Sequence, residues 1–149
     1  MTDDDRESAY ALLRRGRELL AARHHAAAAI VLERALRLEP RKGSIVEALA
    51  VACYGSRQDL MAAACFEQLL RIDPSNAYAH LGLGLSLERL ALYEDARAHL
   101  RLAAAMDPTN EDCRRILGRL ERHLAPLDRR RIRIREKPGP VQTIGNEPF

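Results

Sequence analysis

The chain has 149 residues, of which 47% are hydrophobic and only 4% aromatic, and it contains no tryptophan. This length suits one domain or one short solenoid, and a core of alanine and leucine favours packed helices over a sheet. The longest apolar run, residues 26–32, is too short to cross a bilayer, which requires about 20 residues. The N-terminus lacks the features of a secretory signal, so the sequence predicts a cytoplasmic protein.

The net charge of +3 is distributed unevenly. Residues 128–137 carry six basic and two acidic side chains, a net charge of +4, whereas residues 1–127 are neutral. The three cysteines form no CxxC pair, which predicts buried, reduced thiols rather than a disulfide framework.

Apolar residues recur at helical spacing in seven stretches of the chain. They predict helices at 6–21, 25–38, 44–55, 59–72, 77–90, 93–106 and 111–124. Asn76 and Asn110 are candidate N-caps of the fifth and seventh helices, and Asp59 is a candidate cap of the fourth. We expect the seventh helix to stop at Pro126, because proline removes a helical hydrogen bond and restricts the residue before it.

Three prolines lie 34 residues apart, at Pro40, Pro74 and Pro108, and each follows the second helix of a pair. A fixed period of about this length is typical of arrays of helical hairpins. Small residues at equivalent places in each unit, such as Gly84 and Ala96 in the third, are expected to let the paired helices approach closely.

The sequence segments that end at these prolines share one pattern. It is clearest in the third segment, which contains Leu83-Gly84, Leu87, Ala96-x3-Leu100 and Pro108. This pattern resembles the tetratricopeptide repeat. The resemblance covers residues 9–124 and implies an all-α, right-handed α-solenoid of three helix-turn-helix units and a C-terminal capping helix. The expected segments are a lead-in at 1–8, units at 9–42, 43–76 and 77–110, a capping helix at 111–124, and a basic, Pro/Gly-containing tail at 125–149.

The resemblance also implies a binding surface, since the first helices of such units line a concave groove that holds a peptide. The matching positions, with the corresponding face of the capping helix, form a groove with an apolar floor, tyrosines and a basic C-terminal wall. They are Tyr10, Leu13, Arg17, Glu47, Val51, Tyr54, Tyr78, Leu81, Leu85, Arg115, Arg119 and Arg122. We expect about a third of them to pack against a neighbouring helix instead.

One known mode of binding in this family is not expected here. Some members hold a peptide's terminal carboxylate with lysine and asparagine at fixed groove positions. Those positions are occupied by Leu13, Arg17, Val51, Leu81 and Leu85. The sequence therefore argues against recognition of the C-terminal tails of the large heat-shock chaperones.

The sequence contains no residue pattern that indicates a metal site or a catalytic site. The histidines and cysteines lack ligand spacing such as HxxxH or CxxC, and no nucleophile–base pair is present. Gly82 and Gly84 lie within a predicted helix with no strand before it, which excludes a dinucleotide-binding turn. We predict no catalytic residue, no metal, no cofactor and no small-molecule substrate.

The basic tail leaves several interpretations open. Its alternating residues, Arg131-Ile132-Arg133-Ile134-Arg135, fit a short extended segment, and the tail as a whole fits a solvated, disordered end. It could also dock on this protein, on a second copy or on a partner. The residues that would make such a contact are Arg129, Arg130, Arg131, Ile132, Arg133, Ile134 and Arg135.

The function predicted from these features is a non-catalytic protein–protein interaction module. It would serve as an adaptor, a scaffold or a small chaperone-like protein that binds a peptide or helix of another protein. The alternative is an accessory protein whose basic tail contacts nucleic acid or an anionic membrane. The neutral body and the lack of aromatics among the tail arginines weigh against nucleic acid.

Overall fold

A computed structural model describes residues 7–136 and Gly139, and within them the protein folds into seven α-helices. The helices are α1 (Ala9–Ala21), α2 (His25–Leu38), α3 (Gly43–Gly55), α4 (Asp59–Ile72), α5 (Ala77–Arg89), α6 (Tyr93–Met106) and α7 (Glu111–Glu136). They form the predicted α-solenoid, in which α1–α2, α3–α4 and α5–α6 are hairpins and each hairpin packs on the next.

The hairpins pack closely because small residues face large ones. Ala28, Ala62 and Ala96, at equivalent places in the three second helices, have no exposed surface. A Cβ atom placed on Gly84 would lie only 2.7 Å from Cγ of Leu100, so α5 and α6 touch where a side chain is missing. The expected role of the small residues is thus confirmed.

The helix ends follow local rules with one exception. Each second helix ends two residues before its proline, as predicted. Asn76 Oδ1 accepts a hydrogen bond of 2.9 Å from the Ala79 amide, and Asn110 Oδ1 one of 2.9 Å from the Cys113 amide. The expected cap at Asp59 is wrong, because this residue is the first of α4 and the N-cap position belongs to Gln58.

The tight turn within each hairpin depends on a backbone conformation that the sequence did not indicate. Arg23, Arg57 and Ala91 have φ angles of 63°, 65° and 60°, and none of them is glycine. They lie 34 residues apart, so each unit makes the same turn. The left-handed conformation is costly for such residues, and it is sustained here by the helices that pack on both sides.

The last helix corrects the sequence prediction most strongly. Pro126 does not end α7, which continues to Glu136 and therefore contains residues that were assigned to an extended or disordered tail. Two ion pairs hold the continuation against α6: Arg97 to Asp128 at 2.7 Å and Arg131 to Glu94 at 2.8 Å. Contacts between distant parts of the chain thus offset the hydrogen bond lost at proline.

Candidate functional site

The first helices of the three units, α1, α3 and α5, form one face of the solenoid together with α7, and this face is here called the first-helix groove. A cavity of about 610 Å³ opens in its C-terminal half. The cavity is lined by four apolar or aromatic residues and four charged ones: Tyr54, Leu85, Tyr93, Ile116, Glu88, Arg89, Arg115 and Arg119. A mixed lining of this kind can bury an apolar side chain and orient a polar group beside it.

Arg89 is the most firmly positioned charge of the cavity. Its guanidinium lies 3.5 Å from the centroid of the Tyr54 ring, and Nη1 donates hydrogen bonds to the Tyr54 carbonyl at 2.7 Å and to Asp59 Oδ1 at 3.1 Å. These contacts join α5 to α3 and α4 across the boundary between two units. Arg89 therefore presents a fixed planar donor to the cavity, at little further entropic cost on binding.

The basic wall predicted at the C-terminal end of the groove is partly neutralised. Arg119 Nη2 donates to both carboxylate oxygens of Glu88, at 2.8 and 2.9 Å, and Arg115 pairs with Asp112 at 2.6 Å. Arg122 has no such partner among the described residues. The wall keeps a net positive charge, but a ligand carboxylate would compete with Glu88 for Arg119.

The middle of the groove is built around Tyr78. Its ring meets Phe66 edge-to-face with centroids 6.3 Å apart, and 49% of the residue remains exposed. Burial and the charge of Glu47 raise the pKa of the Tyr78 phenol above its ordinary value. The hydroxyl is therefore protonated at neutral pH and available to donate a hydrogen bond.

The remaining predicted groove residues divide by depth. Tyr10 is 74% exposed and, with Arg17 and the edge of Leu13, lines a smaller cavity of about 310 Å³ on α1. Leu13 itself is only 6% exposed and belongs to the core. Val51 and Leu81 are half-buried between helices, so they can form a floor but not a wall.

A second large cavity, of about 630 Å³, lies on the side of the second helices, between α2 and α4. Leu36, Met61 and Cys65 are among the residues that line it. Gln68 at its edge donates a hydrogen bond of 2.9 Å to the Pro40 carbonyl, which ties unit one to unit two. We assign this cavity to the joint between units, since the hydrogen bond of Gln68 at its edge serves that joint.

His80, which occupies a position where the repeat pattern has a bulky aromatic, forms a stacked pair with His99. The ring centroids are 5.3 Å apart and the two Nδ1 atoms 3.0 Å apart. Nε2 of His80 donates to the Pro74 carbonyl at 3.1 Å, which leaves Nδ1 as the acceptor of a proton from His99. The pair fills the space of one large aromatic ring.

Acidification is expected to destabilise the fold through this pair. Burial, followed by the charge of His80, lowers the pKa of His99, although Asp95 and Glu67 oppose the shift. Because His99 binds protons more weakly in the folded state, stability is lost as the pH falls through the ordinary histidine pKa of about 6.5.

We therefore expect the melting temperature to decrease between about pH 7.5 and about pH 5.5, on either side of that pKa. The substitution His99→Gln removes the titrating group and should flatten the decrease. Differential scanning calorimetry at both pH values checks this, and an equally steep decrease in the variant would refute the assignment to His99.

The thiols are buried and free, as the sequence predicted for all three cysteines. A hydrogen bond with Cys65, followed by burial, raises the pKa of Cys53, and burial raises the pKa of Cys113.

In the described part of the chain, no group of three histidine, cysteine or acidic side chains is placed to hold a metal ion. None of the helices described combines the length and apolar character needed to cross a membrane.

The residues predicted for tail contacts lie on the continuation of α7 rather than on an extended segment. Arg131 is bound to Glu94, whereas Ile132 and Ile134 are 54% and 73% exposed. Arg129, Arg130, Arg133 and Arg135 are exposed. Helical geometry turns the alternating arginines and isoleucines to different sides of the helix, so they present no strand-like edge.

Comparison with known proteins agrees with this architecture. A family model described as "Tetratricopeptide repeat" matches residues 61–111. The structure of the first such domain of Spaghetti (RPAP3), bound to an HSP90 peptide, superposes with a TM-score of 0.74 at 16% identity, over 79% of this chain and 94% of that one. The chain has the tetratricopeptide-repeat fold.

Two further tetratricopeptide domains share the fold. The Sgt2 domain from Aspergillus fumigatus matches with a TM-score of 0.73 and 20% identity, over 94% of this chain and 90% of that one. The OM64 domain from Arabidopsis matches with a TM-score of 0.73 and 22% identity, over 78% and 97%. No curated protein sequence matches the chain. At these identities the likeness establishes the tetratricopeptide fold alone.

The sequence missed three residues that line the first-helix groove. Arg89, Tyr93 and Ile116 all face the 610 Å³ cavity. Arg89 lies 35 residues after Tyr54, one residue more than the repeat period, which places its guanidinium over the ring of the preceding unit. An arginine one residue beyond a full period after a tyrosine is a signal that could have indicated the contact.

Proposed function

We propose that the protein is a non-catalytic interaction module, an adaptor, scaffold or small chaperone-like protein, that binds a peptide or helix of another protein in the first-helix groove. The observation that carries this proposal is the 610 Å³ cavity where α3, α5 and α7 meet. Its floor of Tyr54, Leu85 and Ile116 can bury an apolar side chain, and Arg89 stands fixed beside it.

The similarity to the Spaghetti (RPAP3) domain, which was solved with an HSP90 peptide, supports binding of a peptide in general. It does not extend to the same peptide, because leucine, valine and, at Arg17, arginine occupy the positions at which the carboxylate-binding members carry lysine and asparagine. Affinity is expected to come from apolar burial, and orientation from the arginines.

The test is a selection of short peptides displayed on phage against the immobilised protein, followed by affinity measurements on the selected peptides. Leu85→Glu places a charge in the floor of the cavity, and we expect it to weaken binding by about tenfold or more, the loss of one buried anchor. Leu102→Glu is the matched control, since Leu102 lies on α6 and is 44% exposed.

Circular dichroism verifies that both variants remain helical. Peptides that bind the wild-type protein and Leu102→Glu equally, but not Leu85→Glu, support the groove. Peptides that bind Leu85→Glu as tightly as the wild-type protein would refute it.

A further inference from the structure

The solvent-facing side of α7 carries a continuous row of arginines, here called the arginine face. Its members are Arg115, Arg119, Arg122, Arg129, Arg130 and Arg133. Arg115, Arg119, Arg122 and Arg129 follow one another at four, three and seven residues, and Arg129 and Arg130 lie four and three residues before Arg133, which places all six on one side of a helix. Pro126 occupies the position between Arg122 and Arg129. At 1.5 Å per residue, the row from Arg115 to Arg133 is about 27 Å long.

This row begins inside the groove and leads out of it. Arg115 and Arg119 line the cavity together with Tyr54 and Leu85. The sequence had divided the row into a groove wall and a separate tail at Pro126, and the continuous helix joins the two parts. A ligand that leaves the cavity along α7 would therefore meet Arg122, Arg129 and Arg133 in turn.

Two acidic residues of α7 face α6 and are paired there. Glu121 and Asp128 point to α6, where Arg101 and Arg97 bind them at 2.7 Å each. On the arginine face, Arg115 and Arg119 are paired with Asp112 and Glu88, and the other four members have no carboxylate partner among the described residues. Two acidic groups of α7 are thus used in contacts with α6, and four arginines of the arginine face carry positive charge that no described carboxylate balances.

Apolar side chains flank the row and indicate the kind of partner. Leu127 and Ile134, one heptad apart, are 45% and 73% exposed on one flank of the arginines. A phosphate backbone would leave them in water, whereas a helix with its own leucines would cover them. The seven-residue spacing of Leu127 and Ile134 is also the spacing at which apolar residues of one helix contact a second helix that lies alongside it.

We propose that an acidic amphipathic helix of a partner protein lies along the arginine face as a continuation of the segment bound in the groove. Its glutamates and aspartates, spaced three or four residues apart, would pair with Arg122, Arg129 and Arg133 through two parallel hydrogen bonds each. This proposal rests on the proposed function, since the cavity of the groove would anchor the first part of the same partner segment.

The experiment uses the full chain and two designed peptides. One peptide is a leucine–glutamate amphipathic helix, and the other has glutamine in place of each glutamate. The variant Arg122→Gln/Arg129→Gln/Arg133→Gln is compared with the control Arg37→Gln/Arg71→Gln/Arg114→Gln, which removes equal charge from exposed arginines elsewhere. All six are surface side chains, so both variants should remain folded, as circular dichroism will verify.

Fluorescence anisotropy should show that the glutamate peptide binds the wild-type protein and the control alike, and the arginine-face variant about tenfold more weakly, as expected for three partly exposed ion pairs. Equal binding to both variants, or equal binding of the two peptides, would overturn the proposal. So would preferential binding of duplex RNA or of phosphatidylserine vesicles over the glutamate peptide. Leu85→Glu and the phage-selected peptides test the groove separately, so either proposal can fail alone.

Discussion

Replacing Leu100 with alanine is expected to lower the free energy of unfolding by about 2–5 kcal/mol, the range for deleting a fully buried leucine. Leu100 has no exposed surface and packs into the notch that Gly84 leaves in α5. The substitution opens a cavity at the α5–α6 contact, where both helices are held by their neighbours and cannot easily collapse into it. Urea denaturation followed by circular dichroism measures the loss.

The control is Leu102→Ala on the same helix. Leu102 is 44% exposed, so its loss should change stability by no more than about 0.5 kcal/mol. The double variant Gly84→Ala/Leu100→Ala tests the contact itself, because the added methyl group conflicts with Leu100 only while the leucine is present. If the effects of Gly84→Ala and Leu100→Ala simply add, the two residues are not in contact as described.

Replacing Pro126 with alanine is expected to stabilise the C-terminal half of α7 by up to about 3 kcal/mol, the difference between proline and alanine in a helix interior. Pro126 lies within the helix and lacks the N–H that would bond to the carbonyl of Arg122. Alanine restores this hydrogen bond. Slower hydrogen exchange of the amides of residues 127–136 is the measurement, because this half of the helix can open without global unfolding.

Arg130→Ala is the matched control, since arginine and alanine differ little in helix propensity. It should leave the exchange of the same amides nearly unchanged. If Pro126→Ala also leaves them unchanged and they exchange as in an unfolded peptide, then α7 ends at Pro126 and the arginine face does not exist as one surface.

Most of the architecture was predictable because it is repeated. The 34-residue spacing of Pro40, Pro74 and Pro108 gave the register of all three units, and the register located the small residues that are now found buried. Where the pattern of one unit was ambiguous, the equivalent positions of the other two units showed where its helices and small residues lie. The continuation of α7 past Pro126 was not predictable in this way, because no other unit of the chain has an equivalent helix that continues past a proline.

The candidate site was predictable only in part. The repeat register brought Tyr54, Leu85 and Arg119 to one face, and the structure brings them into one cavity. The repeat register did not indicate that Arg119 would pair with Glu88 or that Arg89 would lie over the ring of Tyr54. These contacts join residues more than 30 positions apart, and they depend on the rotation of one hairpin against the next.

By itself, the sequence determined the helices, the repeat and the close approach of paired helices, because periodicity, proline and missing side chains act locally along the chain. Only the tertiary structure decided how far α7 extends and which charges remain free. Pro126 weakens a helix locally, but the ion pairs of Asp128 and Arg131 with α6 and the burial of Leu124 outweigh that loss. The pair with Arg97 holds the Asp128 carboxylate on the inner side of α7, and the outer Arg122, Arg129, Arg130 and Arg133 have no carboxylate partner among the described residues.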